Sequence, residues 1–176
     1  ALELLPQDTD ARVLDLCTGS GAIGVTLAAE RPRARVDLTD QSEPALAIAA
    51  RNATRHGVEV GLLAGDLFSP VSGRYALIAC NPPYVAASEV DGLARELRDH
   101  EPRAALVAGP TGYEIHDRVI AAAGEHLEPG GVLLIEVGMG QAEEVDRRLH
   151  EQRWVAGTAR HEDLARVQRV LEATAR

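Results

Sequence analysis

A short apolar run that leads directly into a glycine-rich segment constrains the fold more than any other feature of this sequence. Residues 11–16 are predicted to form a buried strand, and the sequence Cys17-Thr-Gly-Ser-Gly-Ala-Ile-Gly24 follows at once. Residues 22–31 then have the pattern of a helix. A strand, a glycine turn and a helix in this order begin a βαβ unit, which is the context in which glycines at this spacing predict a nucleotide site.

The same alternation of strands and helices continues along the chain. Further strands are predicted at residues 34–39, 58–63, 75–80 and 132–137, with helices at residues 45–56, 111–127 and 141–151. This order predicts a doubly wound α/β domain that has a mostly parallel sheet and helices on both faces. Two last strands, at residues 154–158 and 167–171, are predicted to form an antiparallel edge.

Composition restricts the class of protein. The 176 residues are enough for one domain, and 45% hydrophobic with 26% charged residues is ordinary for a soluble globular protein. The net charge of −9 argues against a nucleic-acid surface, which usually has a basic stripe. No stretch approaches the roughly 18 apolar residues of a membrane span. Cys17 and Cys80 lie in apolar contexts without metal-ligand spacing, which predicts reduced thiols in a cytoplasmic protein and no metal site.

The fourth predicted strand ends in Asn81-Pro82-Pro83-Tyr84. The two prolines fix two φ angles and remove two backbone donors, so the turn is rigid, and it lies at the sheet edge where ligands bind. The Asn81 side-chain oxygen and the Pro82 carbonyl can accept both N–H bonds of a planar –NH2 group, and the Tyr84 ring can stack on that group. The turn is therefore predicted to position an amide or aromatic amine for attack on an electrophile. A proline-stiffened surface loop would have the same sequence.

Three aspartates are predicted to lie at this same edge. Asp15, beside the glycine turn, suits a ligand with a positive amino group better than a pyrophosphate. Asp40 follows about 20 residues after the glycines, where an acid either binds ribose hydroxyls or caps the next helix. Asp66 can accept from an adenine amino group while Leu67 or Phe68 covers the ring, and a capped turn explains the same residues equally well.

Two later segments add candidates at the ligand edge. Residues 85–108 are polar and irregular, with a short helix predicted at residues 89–98, which is typical of a lid or binding loop. The loop contains Glu101, whose charge either serves the site or is simply solvated. Glu136 ends a strand at the same edge, and it is either a site residue or a buried pairing carboxylate. The six histidines lack metal-ligand spacing, and most are predicted to be on the surface.

Several motifs together carry a resemblance to one family. The segment from Asp15 to Gly21 resembles the Asp/Glu-x-Gly-x-Gly-x-Gly signature of S-adenosylmethionine (SAM) methyltransferases. The motifs that accompany it and the Asn-Pro-Pro-Tyr turn are Gly65-Asp-Leu-Phe68, Glu101-Pro102, Glu136-Val-Gly138 with Gln141, and Asp163-Leu-Ala165 with Arg169-Val170. Over nearly residues 2–172 the chain resembles the catalytic domain of the protein-(glutamine-N5) methyltransferases, the HemK or PrmC family, which modify peptide chain release factors.

This resemblance implies a seven-stranded, Rossmann-like methyltransferase domain over residues 1–176, with SAM as donor, S-adenosylhomocysteine as product and no metal. The implied cofactor-binding residues are Asp15, Cys17, Thr18, Gly19, Ser20, Gly21, Asp40, Asp66, Leu67 and Asn81. The implied catalytic residues are Asn81, Pro82 and Tyr84, and the implied contacts of the acceptor glutamine are Asn81, Pro82, Pro83, Tyr84 and Glu101. The expected protein is a cytoplasmic monomer that acts on a release factor, without membrane or nucleic acid.

The chain also departs from the family pattern. Cys17 and Arg166 stand where the family has glycine, and the family's N-terminal helical domain, which helps to hold the release factor, is not in this sequence. The expectation is a truncated chain or a different substrate. The alternatives are a glutamine methyltransferase of a ribosomal protein, an N6-adenine nucleic-acid methyltransferase, a non-catalytic SAM-binding module, and a NAD-dependent oxidoreductase that uses Gly19, Gly21 and Gly24.

Overall fold

Strands and helices alternate in the computed structural model, which describes all 176 residues. In chain order the elements are β1 (Arg12–Leu16), α1 (Ala22–Glu30), β2 (Arg35–Asp40), α2 (Glu43–His56), β3 (Gly61–Ala64), β4 (Tyr75–Cys80), β5 (Val85–Ala86), a 3-10 helix (Val90–Gly92), α3 (Arg95–His100), α4 (Arg103–Leu106), β6 (Val107–Gly109), α5 (Glu114–His126), β7 (Leu127–Glu136), α6 (Ala142–His150), β8 (Val155–Glu162) and β9 (Gln168–Ala175).

The main sheet has seven strands in the order β3-β2-β1-β4-β7-β9-β8. The first five of these are parallel, whereas β9 lies between β7 and β8 and is antiparallel to both. The doubly wound α/β fold and the antiparallel pairing at one edge are thus confirmed. Leu16 pairs with Cys80, and Cys80 pairs with Ile135. The segments that follow these three residues therefore leave the sheet side by side, at its carboxyl edge.

The sheet is buried on both faces because its strands carry apolar residues at successive positions. Leu14 and Leu16 belong to a cluster of 20 buried residues that includes side chains of α5 and α6. Val13, between them in sequence, points to the opposite face and belongs to a cluster of 11 that includes side chains of α1 and α2. This alternation follows from the two-residue period of a strand. Two helix-packed faces leave the carboxyl edge as the open side of the sheet.

Helix boundaries follow local chemistry where the sequence supplies a cap. The Ser42 hydroxyl accepts from the Ala45 N–H at 3.3 Å at the start of α2, and Gly57 ends this helix with φ of 66°. At α5 only half of a capping box forms. Glu114 accepts from the Thr111 N–H at 2.7 Å, but the Thr111 hydroxyl also donates to Glu114 and does not cap the helix.

Several predicted boundaries differ from the observed ones. The region predicted as one irregular loop with a helix at residues 89–98 contains the 3-10 helix, α3 and α4, and its ends pair as β5 and β6. Strand β7 begins five residues early because Leu127 already pairs with Tyr75, before an irregularity in the register. Strands β8 and β9 extend beyond the predicted ranges because they form a hairpin. None of the helices has the length and hydrophobicity needed to cross a bilayer.

Candidate active site

Asp15 stabilises the glycine turn through two hydrogen bonds. Its Oδ2 atom accepts from the Thr18 hydroxyl at 2.6 Å and from the Gly24 N–H at 2.8 Å, and the residue is only 1% exposed. Burial raises the pKa of Asp15 to about 6, although the two hydrogen bonds act in the opposite direction. Its Oδ1 atom is buried and has no hydrogen-bond partner within the chain. A buried carboxylate oxygen without a partner is costly unless something else meets it.

The turn above Asp15 has a left-handed backbone at three positions. Cys17, Gly19 and Gly21 have φ of 60°, 56° and 83°. Gly19 has open space around the position of a Cβ atom, whereas a Cβ at Gly21 would lie 3.0 Å from the Ala49 Cβ in α2. Cys17 therefore adopts a conformation that glycine would take more easily, and this explains physically why a glycine suits that position. Ser20 is exposed, and its carbonyl accepts from an Asn52 side chain.

Asp40 joins the glycine turn to the start of α2. Its Oδ2 atom accepts from the Gly19 N–H at 2.8 Å, and its Oδ1 atom accepts from the Ser42 N–H at 2.8 Å. Ser42, and not Asp40, is the cap of α2. The carboxylate of Asp40 is half-buried and lines a cavity, so it remains accessible to a ligand.

This first cavity has a volume of about 580 Å³, in the range of small-ligand sites. Among the residues predicted to bind a cofactor, those that line the cavity are Cys17, Asp40, Asp66, Leu67 and Asn81. Its rim also holds an ion pair between Asp66 and Arg118, with an oxygen–nitrogen distance of 2.5 Å.

Leu67 and Phe68 are neighbours in sequence, but their side chains lie in different environments. Leu67 lines the first cavity and has φ of 48°, an unusual backbone conformation for a residue with a branched side chain. Phe68 instead is buried and stacks on His126, with 4.5 Å between ring centroids. Of the two residues considered for covering an adenine ring, only Leu67 faces the cavity.

Neither of the two predicted acceptors in the Asn-Pro-Pro-Tyr turn is used within the chain. The Asn81 side chain is exposed and makes no internal hydrogen bond, and the Pro82 carbonyl accepts none. Tyr84 is half-buried and lies near the Glu136 carboxylate. Burial, with a contribution from the Glu136 charge, raises the pKa of Tyr84, so its hydroxyl is protonated at neutral pH.

The backbone of Tyr84 contacts Gln141 and Gly112. The Gln141 Nε2 atom donates to the Tyr84 carbonyl at 3.0 Å, and its Oε1 atom accepts from the Gly138 N–H at 2.8 Å. Gly112 has φ of 84°, and a Cβ there would lie 2.8 Å from the Tyr84 carbonyl oxygen. The start of α6 and the residues before α5 therefore fix the turn from both sides. The sequence supplied Gln141 only as part of a motif, without this function.

A second cavity, of about 700 Å³, lies on the other side of Asn81. It is bordered by the N-terminal segment, by α1 and by the ends of β4, β7 and β9, and Glu136 is among its lining residues. Asn81 is the one residue that lines both this cavity and the first one. A group held at Asn81 can thus face two different ligands.

Some predicted residues lie outside both cavities. Glu101 is exposed at the end of α3, and its neighbour Pro102 is the residue of that pair that lines the first cavity. Among the histidines, His116 is completely buried, and its Nε2 atom lies 2.9 Å from the Glu136 carbonyl. Because a carbonyl only accepts, His116 donates this bond and holds the end of β7.

Comparison with known proteins identifies a family. The family model described as the methyltransferase small domain matches residues 1–109. A release factor glutamine methyltransferase of Geobacter sulfurreducens is 47% identical over 136 residues, which is 77% of this chain and 48% of that protein. A ribosomal protein uL3 glutamine methyltransferase of Bradyrhizobium diazoefficiens is 46% identical over 133 residues, 74% of this chain and 41% of that protein. The chain spans about half the length of the curated relatives it matches.

Solved structures agree with the observed architecture. The crystal structure of TrmN from Thermus thermophilus superposes with a TM-score of 0.71 at 21% sequence identity, covering 99% of this chain and 47% of that one. At this level of identity the similarity concerns the fold, which is therefore that of the methyltransferases with a mostly parallel seven-stranded sheet.

Proposed function

This chain belongs to the methyltransferase small domain family, and on that premise we propose that it transfers a methyl group from SAM to the side-chain amide nitrogen of a glutamine in a peptide chain release factor. The relatives at 42–48% identity that are named release factor glutamine methyltransferases support this substrate. The position of Asn81 between two cavities is the observation that carries the proposal, because a methyl transfer needs a donor and an acceptor to meet at one point.

The first cavity fits SAM on the chemistry of its residues. The carboxylates of Asp40 and Asp66 line the space where hydroxyl and amino groups need acceptors. Asp15 does not line the cavity, but its Oδ1 atom lacks a partner beneath the glycine turn. In this proposal the Asp15–Gly21 segment holds the methionine part, Asp40 the ribose, and Asp66 with Leu67 the adenine. When bound, SAM supplies an electrophilic methyl group on a positively charged sulfur.

The acceptor glutamine would enter the second cavity beside Asn81. Of the other residues predicted to contact it, Pro83 lines the first cavity, whereas Pro82 and Tyr84 line neither and would reach the amide from the turn. The Asn81 side-chain oxygen and the Pro82 carbonyl, both free of internal hydrogen bonds, would accept the two N–H bonds of its amide. The Tyr84 ring, fixed by Gln141 and Gly112, would pack on the amide plane. An amide nitrogen is a weak nucleophile, so correct placement is the main contribution that these residues make. Such placement lowers a barrier by up to ~7–11 kcal/mol.

Ribosomal protein uL3 is a second candidate substrate. It is favoured by the relative named for it, which is 46% identical to this chain. The chemistry at Asn81 would be the same, because both substrates present a glutamine amide. The family match also favours a methyltransferase over the NAD-dependent oxidoreductase considered from the glycine spacing.

The test is incubation of the full chain with methyl-labelled SAM and each of three acceptors. These are a peptide chain release factor, ribosomal protein uL3 and an adenine-containing DNA duplex. Label on a release factor glutamine, located by mass spectrometry, is the expected result. Label on uL3 alone would show that uL3, and not the release factor, is the substrate. Label on the duplex alone, or on none of the three, would overturn it.

A further inference from the structure

Glu136 and Asn81 occupy equivalent positions at the ends of two neighbouring strands. Strand β4 ends at Cys80, which pairs in parallel register with Ile135 of β7. The next residues, Asn81 and Glu136, thus leave the sheet side by side, and both line the second cavity. Adjacent strands lie about 5 Å apart. Because both residues border this cavity, the carboxylate shares it with the acceptor amide that Asn81 would hold.

The Glu136 carboxylate has no close ion-pair partner. No salt bridge to this carboxylate forms within 4.0 Å. Burial raises its pKa, while the charge of Arg169 and the Tyr84 hydroxyl act in the opposite direction. The charged or titratable groups that face it or share its cavity are Tyr84 from the turn, Arg169 of β9, and Glu172, His161 and Glu3 around the cavity.

The proposed reaction needs a proton acceptor that the Asn-Pro-Pro-Tyr turn does not contain. An amide nitrogen that has gained a methyl group carries one proton too many. Asn81 and the Pro82 carbonyl are neutral hydrogen-bond acceptors and poor bases, and the Tyr84 hydroxyl is already protonated. Asp40 has each oxygen occupied by a backbone N–H and faces the first cavity. Asp15 is buried beneath the glycine turn.

We propose that Glu136 is the catalytic base that removes this proton. The inference rests on the proposed function. As the carbon–nitrogen bond forms, the bond between the methyl carbon and the sulfur of SAM would break and leave its electron pair on sulfur. The N–H bond that points to the Asn81 oxygen then breaks, its electron pair stays on nitrogen, and the proton bonds to a Glu136 carboxylate oxygen, because Asn81 and Glu136 line the same cavity. The second cavity is open to solvent, so the protonated carboxyl then returns its proton to water.

The experiment compares wild type with Glu136→Gln and Glu136→Ala in single-turnover transfer to a release factor between pH 5 and pH 9. The wild-type rate should rise with pH as the carboxyl ionises, above the ordinary range of a glutamate, and then level. Glu136→Gln should be slower by about 10²-fold or more and lose this rise. Formate should partly restore Glu136→Ala and leave Glu136→Gln unchanged. Calorimetric affinity for S-adenosylhomocysteine and the thermal midpoint should stay near those of the wild type.

The outcomes separate this inference from the proposed function. Wild-type rate and pH profile in Glu136→Gln, with wild-type activity intact, would overturn the base alone. Equal losses of rate, cofactor affinity and thermal midpoint, without formate rescue, would show a structural role and overturn it too. No label on any glutamine with the wild-type chain would overturn the proposed function and the base with it.

Discussion

Gln141 donates a hydrogen bond to the carbonyl oxygen of Tyr84 across 57 positions of sequence, at 3.0 Å. The same amide accepts from the Gly138 N–H. One side chain thereby ties the Asn-Pro-Pro-Tyr turn to the end of β7, where Glu136 lies. The geometry between the residue that would hold the acceptor and the residue that would deprotonate it depends on this link.

Gln141→Glu should therefore reduce the turnover number more than it reduces stability. The carboxylate still accepts from Gly138 but repels the Tyr84 carbonyl, and we expect a drop of roughly 10-fold in kcat with the affinity for SAM unchanged. Gln141→Ala is the matched variant, because it leaves both backbone groups without a partner and should also cost about 1–3 kcal/mol of unfolding free energy. Urea unfolding and steady-state kinetics measure the two effects. Unchanged kcat in both variants would contradict the link.

Asn81→Ala should cut methyl transfer by about 10²-fold or more, comparable to the loss of one preorganised polar contact. The fold should survive because the side chain is exposed and makes no internal hydrogen bond. Asn81→Gln is a useful companion, since it keeps the amide but moves the acceptor by one carbon, and it should lose nearly as much. Labelled-methyl transfer and circular dichroism check both points. Wild-type turnover in Asn81→Ala would remove this residue from the mechanism.

Asp15→Asn should change the pH dependence of stability. The folded-state pKa of about 6 lies above the ordinary value of 3.8, so the favourable contribution of Asp15 is present below pH 4 and is lost as pH rises through 6. The difference corresponds to roughly 3 kcal/mol. Relative to wild type, the variant should thus gain stability between pH 4 and pH 8, as measured by urea unfolding at each pH. A constant difference across this range would contradict the raised pKa.

The same variant should bind SAM more weakly, if the partnerless Asp15 oxygen meets the amino group of the ligand. Calorimetry at pH 8 measures this directly. Higher stability together with weaker binding would show that the buried charge is kept for its ligand. Equal affinity would assign Asp15 to holding the glycine turn alone.

Arg166→Gly should stabilise the fold by about 0.5–1 kcal/mol. Arg166 has φ of 63° in the exposed β8–β9 turn, where a residue with a Cβ is strained and glycine is not. Arg166→Ala is the control, because it removes the same side chain, including its distant contact with Glu162, but keeps the Cβ. Only the glycine variant should shift the urea midpoint upward. An equal shift in both would assign the effect to the lost charge.

Features that depend on neighbouring residues could be predicted from the sequence. Features that depend on contacts between residues far apart in the sequence could not. Asn81, Asp40 and the order of strands were predictable because they follow local patterns of apolar residues and turns. Cys17 and Arg166 could be recognised as departures from a glycine pattern, but their left-handed backbone is visible only in the structure. Both positions therefore carry a conformational cost that their residue types do not reveal.

Contacts between distant segments explain the residues that sequence reasoning missed. Arg118 meets Asp66 across 52 positions, and no periodicity connects them. Phe68 and Leu67 are adjacent and both apolar, so only the packing of Phe68 on His126 decides which of them faces the cavity. Glu101 belongs to a recognisable motif, yet the path of α3 leaves it exposed outside both cavities, and its contact with substrate stays a prediction.

Because Asn81 alone borders both cavities, it also defines the route for an inhibitor that fills them together. A compound built from an adenosine-bearing half and an amide-bearing half would need a linker short enough to pass this one side chain. The first half would resemble SAM itself, whereas the second would meet Glu136, Glu172 and residues 1–4. Selectivity among related enzymes would therefore come from the part of the molecule that lies beyond Asn81.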